Sequence, residues 1–392
     1  MGFALCLILV LLIWLIKVLW FKNTLVLRTL KQNQQEPDIA LLRKRFRFVW
    51  ITVLGFMFAG LIVLSITFNK QNAKAKHLIN DQKSQIFQMG VSIDSLRKSN
   101  QGFFLNNVLQ LVDEDLRNSP TKTLRKETIG RIASLSKSFL PYKFLSSDHV
   151  LDAELSPERG QLLLSLLSMG MDSASFSEVK AQTTFARAYL KNSDLNKMDL
   201  SNIDLRFADM GGCNLTGTNL RNAQLNEVNL RKAELDHANL SGAFLRGATL
   251  EFATLNHANL SNANLNGARL DQVVMRNAIV KNALIQWAYL NGVLLEGADF
   301  TGTDLVRSEM QRANFTKANL KNTNFYRVVL TNAILDGIYL DSAEVKSDWL
   351  ESLKKNPLQG SENIVKDYRV DADSTDPKKL TKYFLVKRSV KS

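Results

Sequence analysis

Four histidines, two cysteines and a run of evenly spaced aspartates are the side chains of this 392-residue chain that could do chemistry. His237 and His257 occupy equivalent outward places twenty residues apart, and neutral imidazoles held together can bind zinc or copper. The equivalent residues twenty positions to either side are Gly217 and Asn277, so a third ligand is missing and the pair reads as solvated surface. The other histidines are His77 and His149. Asp194, Asp199, Asp204 and Asp209 recur every five residues. They read as a hydrated carboxylate belt, with cation binding as the minor alternative. Cys6 lies in an apolar run and Cys213 at an inward repeat position, which implies no disulfide framework. No phosphate loop, dinucleotide fingerprint or zinc-protease motif is present, nor a nucleophile with its base. The expectation is a non-catalytic chain with no cofactor and no catalytic, cofactor-binding or metal site.

The aspartates and histidines keep their spacing because the whole stretch from Phe185 to Val345 repeats in fives without a break, about 33 units. Each fifth residue is Leu or a substitute such as Met210, Met275, Val280, Ile285, Phe300, Met310, Phe315 or Phe325. Two residues earlier sits a small or β-branched residue, most often Ala. A period of five fits neither a helix nor a strand. It fits a chain that turns one corner per unit and points two of every five side chains inward. Four corners close a square, so the structural repeat is about 20 residues. Leu205, Leu225, Leu245, Leu265 and Ile285 then form one interior column. Gly or Asn two places after the large residue (Gly217, Gly242, Asn262, Asn282) suits a tight turn.

Units such as Ala258-Asn259-Leu260-Ser261-Asn262 and Ala298-Asp299-Phe300-Thr301-Gly302 resemble the pentapeptide-repeat family, over about two-fifths of the chain. The resemblance implies an all-β solenoid, a right-handed quadrilateral β-helix, and a binding scaffold rather than an enzyme. Coils about 4.8 Å apart would make the prism roughly 40 Å long. Some members of the family mimic duplex DNA and protect a topoisomerase, which is an alternative function. Such mimicry needs a strongly negative surface. Residues 181–347 carry 17 basic and 16 acidic side chains, so neither mimicry nor nucleic-acid binding is expected. The net charge of +13 resides mainly in residues 1–180, with 23 basic and 14 acidic side chains.

Two apolar runs open the chain. Residues 3–21 contain one charge, Lys17, and Phe48–Phe68 contains none. Each is close to the ~20 residues that cross a bilayer, and the N-terminus lacks a signal peptide's basic start and cleavage site. Residues 1–69 therefore read as a two-helix transmembrane hairpin in a multi-pass protein of the bacterial cytoplasmic membrane. Lys22, Arg28, Lys31, Arg43, Lys44, Arg45 and Arg47 lie between the runs, against Glu36 and Asp38. The positive-inside tendency puts that loop in the cytoplasm and the repeats outside it; Lys70, Lys74 and Lys76 argue the other way.

Residues 70–182 read as a helical stalk and N-terminal cap. Ile79, Ile86, Met89, Ile93 and Leu96 make a short heptad seam. It reads first as one face of an amphipathic helix folded onto its neighbours and, as the alternative, as a candidate seam for homo-oligomerisation. A helix is expected over about 122–139, and another begins at Ser156-Pro157-Glu158, a capping sequence. Residues 183–347 are the β-helix. Residues 348–392 form a cap helix, with Trp349, Leu350 and Leu353 on one face, and a tail with short strands near Tyr368-Arg369-Val370 and Tyr383-Phe384-Leu385-Val386.

One outward feature breaks the pattern. The position before the large residue, normally polar, becomes Val274, Ile279, Leu284, Tyr289 and Leu294 in five successive units, one full circuit of the prism, with Trp287 nearby. Such a belt is a protein-interaction patch or a surface covered by the chain's own helices or tail. The expected function is a membrane-anchored scaffold for an unidentified protein partner. A further alternative is an accessory subunit of a channel or transporter.

Overall fold

The computed structural model describes residues 17, 39–146, 149–150, 153–373 and 381–388. The chain forms two compact units, Met1–Gln88 and Met89–Ser392. Helix α1 (Ile39–Asn118) begins in the first and ends in the second. The uncharged run Phe48–Phe68 lies within α1, and Ile51, Leu54, Phe58, Leu61, Ile62, Val63, Ile66 and Phe68 on it are exposed. Among the described residues no helix is long and apolar enough to cross a membrane. The expected transmembrane hairpin is therefore not shown. Its first run lies outside the described residues except for Lys17, as do the side chains at 48–50, 52, 53, 56 and 57 of its second. Of the heptad seam, Ile79 is exposed, and the side chains of Ile86, Met89, Ile93 and Leu96 also lie outside the described residues.

In the second unit the five-residue period becomes a four-sided solenoid. Parallel bridges join residues twenty apart from Tyr189↔Asp209 to Asn324↔Glu344, so four units make one coil. The unit ending at Leu240 shows how the chain closes each corner. Ala243 N donates to Leu240 O (3.0 Å) across a turn whose third residue, Gly242, has φ of 67°. This is the positive-φ position of a type II turn. Between coils, Leu240 N donates to Asn259 O (2.7 Å), Gly242 N to Ser261 O (2.9 Å) and Asn239 N to Thr218 O (2.9 Å). The backbone polar groups are thus paired along the stack, as burial demands. Residues as bulky as Phe207, Phe252 and Trp287 also take the left-handed turn position, because the ladder on both sides fixes it.

The interior is filled by the two inward residues of each unit, Ala and Leu being the commonest pair. Polar inward residues are satisfied by backbone carbonyls: Thr218 Oγ1 donates to Leu195 O, Thr303 Oγ1 to Val280 O and Thr323 Oγ1 to Phe300 O (2.7–2.9 Å). Cys213 follows the same rule, its Sγ donating to Leu190 O (2.9 Å). Burial pushes that thiol up to about 12, so it is inert at neutral pH while the first coils stay closed.

Helices α2 (Lys126–Ser138), α3 (Pro157–Ser168) and α4 (Ser173–Gln182) pack on the open N-terminal coil. α2 starts four residues later than the sequence suggests. Ile129, Ile132, Leu162, Leu163, Leu166 and Val179 join one core with Phe185, Leu190 and Leu200. Ser156 does two jobs. Its backbone pairs with the first coil (Ser156 N to Arg187 O, 2.7 Å; Tyr189 N to Ser156 O, 3.1 Å), and its Oγ accepts from Arg159 N (3.2 Å) to cap α3. Gly160 is required beside this contact, because a Cβ there would stand 2.1 Å from Tyr189 O. A short pair of strands, β1 (Leu145–Ser146) and β2 (His149–Val150), flanks the cap.

At the C-terminal end β3 (Glu344–Val345) is the last strand of the prism. Helices α5 (Trp349–Lys355) and α6 (Ser361–Asp367) follow, with Leu350, Leu353 and Ile364 buried. Strand β4 (Tyr368–Asp373) then pairs antiparallel with β5 (Lys382–Lys387), and β5 pairs with β3, giving the order β3-β5-β4.

Candidate functional site

Each unit contributes one strand to one face, so the sequence order of outward residues is also their order around the prism. Val274, Ile279, Leu284, Tyr289 and Leu294 therefore occupy successive faces, and Val274 bridges to Leu294 one coil below it. The six belt residues are not one patch. The structure brings together Leu284, Trp287 and Tyr289, which flank a single corner on two adjacent faces. They are 42%, 55% and 45% exposed. Ile279 is exposed on the face before Leu284, whereas Val274 and Leu294 are half-buried on the face opposite it. Among the described residues neither the tail nor the helical cap covers the corner. The Arg307 guanidinium sits 4.3 Å from the centre of the Trp287 ring, a cation–π contact that holds the indole in place.

The backbone shows why apolar residues are tolerated there. In nearly half of the units the residue before the large one is Asn or Asp, and its Oδ1 accepts from the amide two residues on. Examples are Asn239 with Ser241 N (3.1 Å), Asn259 with Ser261 N (3.0 Å) and Asp299 with Thr301 N (3.0 Å). An apolar residue cannot supply this acceptor. At the belt the coil above supplies it instead: Arg276 N donates to Asn256 Oδ1 (3.1 Å), Gln286 N to Asn266 Oδ1 (2.8 Å) and Asn291 N to Asp271 Oδ1 (3.0 Å). Phe244, another exposed aromatic, has the same substitute, Arg246 N to Asn226 Oδ1 (3.1 Å). Val274, Leu284 and Tyr289 thus come with their own backbone compensation, whereas Ile279 and Leu294 have no such acceptor among the described residues. Asn or Asp at the first turn residue, twenty positions before the uncapped turn, is the sequence signal for it.

The same geometry gives the aspartate belt, exposed at Asp194 and Asp199 and half-buried at Asp204 and Asp209, a structural role. Asp194, Asp199, Asp204 and Asp209 each accept from the amide two residues on (3.1–3.3 Å). They hold turns and do not form a cluster of free carboxylates. A hydrogen bond from the Asn196 side chain holds the Asp194 carboxyl below the usual range. Burial pushes Asp199 and Asp204 up, but the hydrogen bonds and charges of Ser201 and Lys180, and of Arg206 and Thr184, outweigh it and leave both lowered. A carboxylate whose folded pKa is depressed adds stability above its unfolded value, about 3.9, and that stability is lost as pH falls through the folded value. Replacing Asp194, Asp199 and Asp204 by Asn keeps the acceptor and removes the titration. We expect the urea midpoint of the triple variant to fall less between pH 4 and pH 2 than that of the parent. Identical pH profiles would contradict the assignment.

His237 and His257 stack, with ring centres 5.0 Å apart and planes within 4°. Among the described residues no three His, Cys, Asp or Glu side chains are grouped to hold a metal. Elsewhere on the prism, Glu251 pairs with Arg269 (2.5 Å) and Arg231 (3.6 Å).

Residues 184–344 match the family model for pentapeptide repeats, in overlapping segments from 184–222 to 308–344. A pentapeptide repeat protein from the cyanobacterium Cyanothece 51142 is 32% identical over 24% of this chain, with a TM-score of 0.22. The chain spans 61% of that protein, less than two thirds of its length. A pentapeptide repeat protein from Nostoc Pcc 7120 is 30% identical over 30% of this chain and 69% of its own, with a TM-score of 0.10. QnrB1, a plasmid-mediated fluoroquinolone resistance protein, is 19% identical over 43% of this chain and 88% of its own, with a TM-score of 0.21. By sequence, no curated protein matches the chain.

Proposed function

Given that this chain belongs, through residues 184–344, to the pentapeptide-repeat family, we propose that it is a non-catalytic scaffold that holds another protein on the Leu284–Trp287–Tyr289 corner of its prism. The observation that carries this reading is the exposure of those three large side chains on a frame tied to the coils above and below it by backbone hydrogen bonds, Leu284 N to Ala263 O (2.9 Å) and Trp287 N to Val306 O (3.1 Å). Exposed apolar groups of that size favour association, and an aromatic anchor held by a neighbouring arginine has the character of an interface hot spot. Surface substitutions away from special backbone features usually change stability by less than ~0.5 kcal/mol. Replacing Leu284 and Tyr289 together by Asp is therefore expected to abolish capture of the partner and leave the melting profile unchanged. Retained capture, or collapse of the fold, would count against the corner as an interface.

A membrane tether is the second part of the same proposal. It is supported by the 21 residues from Phe48 to Phe68, which carry no charge, and by apolar side chains exposed on more than one side of that helical segment. Water disfavours such a surface; a bilayer favours it. The basic residues between 22 and 47, the last four of them in the first turns of α1, support an extracytoplasmic prism. A reporter active only in the cytoplasm, fused after Ser392, is expected to be silent, and a reporter active only outside it should work. The reverse pair of results would place the repeats on the cytoplasmic side.

A further inference from the structure

The last coil of the prism is closed on three faces and open on the fourth. On one face β5 pairs with Glu344 and Val345. On the next closed face Leu335 N donates to Gln359 O (2.8 Å), and on the third Leu340 N donates to the Tyr368 hydroxyl (3.3 Å). The remaining face is the strand at Val328–Asn332. Its counterpart one coil earlier is fully paired: Met310 N donates to Val329 O (2.8 Å), Arg312 N to Thr331 O (2.8 Å) and Val329 N to Ser308 O (3.1 Å). In the last coil the chain turns into α5 where the next strand would lie, and Trp349 N donates to Lys346 O instead. Among the described residues nothing accepts from Leu330 N or Asn332 N, and no backbone amide reaches Val328 O. The interior shows the same gap. Val328 and Leu330 are only partly buried, whereas Ser308 and Met310 directly above them are fully buried.

A groove of about 900 Å³ runs along this edge, floored by Val328, Leu330, Trp349, Leu353 and Leu358. Three basic residues, Arg327, Lys346 and Lys355, and one acidic residue, Asp348, line it, a local balance of +2. An unpaired edge beside apolar pockets is the arrangement that strand addition uses.

We propose that Val328–Asn332 is a docking site for one extended peptide segment of another protein, laid parallel to the edge with a large apolar residue over Leu330 and acidic residues on either side. The geometry of the coils above fixes the register. The residue just before the apolar one donates its N–H to Val328 O and accepts at its C=O from Leu330 N. The C=O of the residue just after it accepts from Asn332 N. The site is separate from the Leu284 corner and does not depend on that corner binding anything.

Two synthetic peptides test this on the full chain. One is acetyl-Glu-Ala-Thr-Leu-Glu-Gly-amide; the other is identical but N-methylated at Thr. Hydrogen exchange should show fast amides at Leu330 and Asn332 in the free protein and protection of both with the first peptide. Losing one backbone hydrogen bond and gaining a methyl clash should weaken the second peptide by ~10-fold or more. Lys355→Glu, on an exposed position of α5, should weaken the acidic peptide and favour the same peptide with Lys in place of Glu. Amides already slow in the free protein, no protection at millimolar peptide, or equal binding of the methylated peptide would each overturn the proposal.

Discussion

Replacing Phe300 by Ala is expected to cost about 3–5 kcal/mol, the range for emptying an aromatic site in a packed interior. Phe300 is fully buried, and its amide and carbonyl are tied into the stack through Asn319 O (2.7 Å) and the Thr323 hydroxyl (2.9 Å). The wall around it cannot collapse into the void without breaking the ladder. Its column also explains why a ring fits where the earlier coils carry Leu220, Leu240 and Leu260: the residue directly above is Val280, smaller than Leu. Val280→Leu alone should therefore overpack the column, at about 1–3 kcal/mol. Combined with Phe300→Leu it should be tolerated far better than the sum of the two single changes. Urea midpoints of the four proteins in that cycle provide the measurement. Strict additivity would show that the two side chains do not share the space.

Arg159→Ala is expected to loosen the N-terminal end by about 2–4 kcal/mol, because two carbonyls lose their donor at once. Arg159 lies in α3, is buried, and donates from Nε to Ser136 O (2.9 Å) in α2 and from Nη1 to Ala186 O (2.6 Å) at the start of the prism. Burial pulls this guanidinium below its usual range, but it stays charged at neutral pH. Arg159→Lys should not rescue, since one ammonium cannot reach both carbonyls in the fork geometry. The buried Cys213 thiol reports the opening. With Cys6 changed to Ser, a loss of ~2 kcal/mol corresponds to roughly 30-fold faster alkylation of Cys213. An unchanged rate would mean that the helices do not hold the first coils closed.

The interior of the prism was legible in the residues because a twenty-residue coil leaves each inward position in fixed phase. Leu205 to Ile285 can be read off as a column without any structure. So can the stacked imidazoles of His237 and His257, which share one outward phase. The turn acceptors were not legible. Asp194 and Asn239 look like ordinary surface polar groups until the left-handed turn folds the amide two residues on back against Oδ1. The belt from Val274 to Leu294 reads from the sequence as one circuit of the prism, as the fivefold step requires; the exposure that singles out the corner of Leu284, Trp287 and Tyr289 was not legible. The open edge at Leu330 was hidden for a different reason. The cap helix was legible from Trp349, Leu350 and Leu353, but not that it leaves one face of the last coil unpaired.

The most direct measurement is site-specific photo-crosslinking around the prism in cells. A photoreactive residue would be placed in turn at 284, 287 and 289, and at the equivalent places three coils earlier, 224, 227 and 229. The expected result is a discrete covalent adduct with one other protein from the first set and none from the second. No adduct from either set, or the same adducts from both, would contradict a scaffold that binds its partner at the Leu284–Trp287–Tyr289 corner.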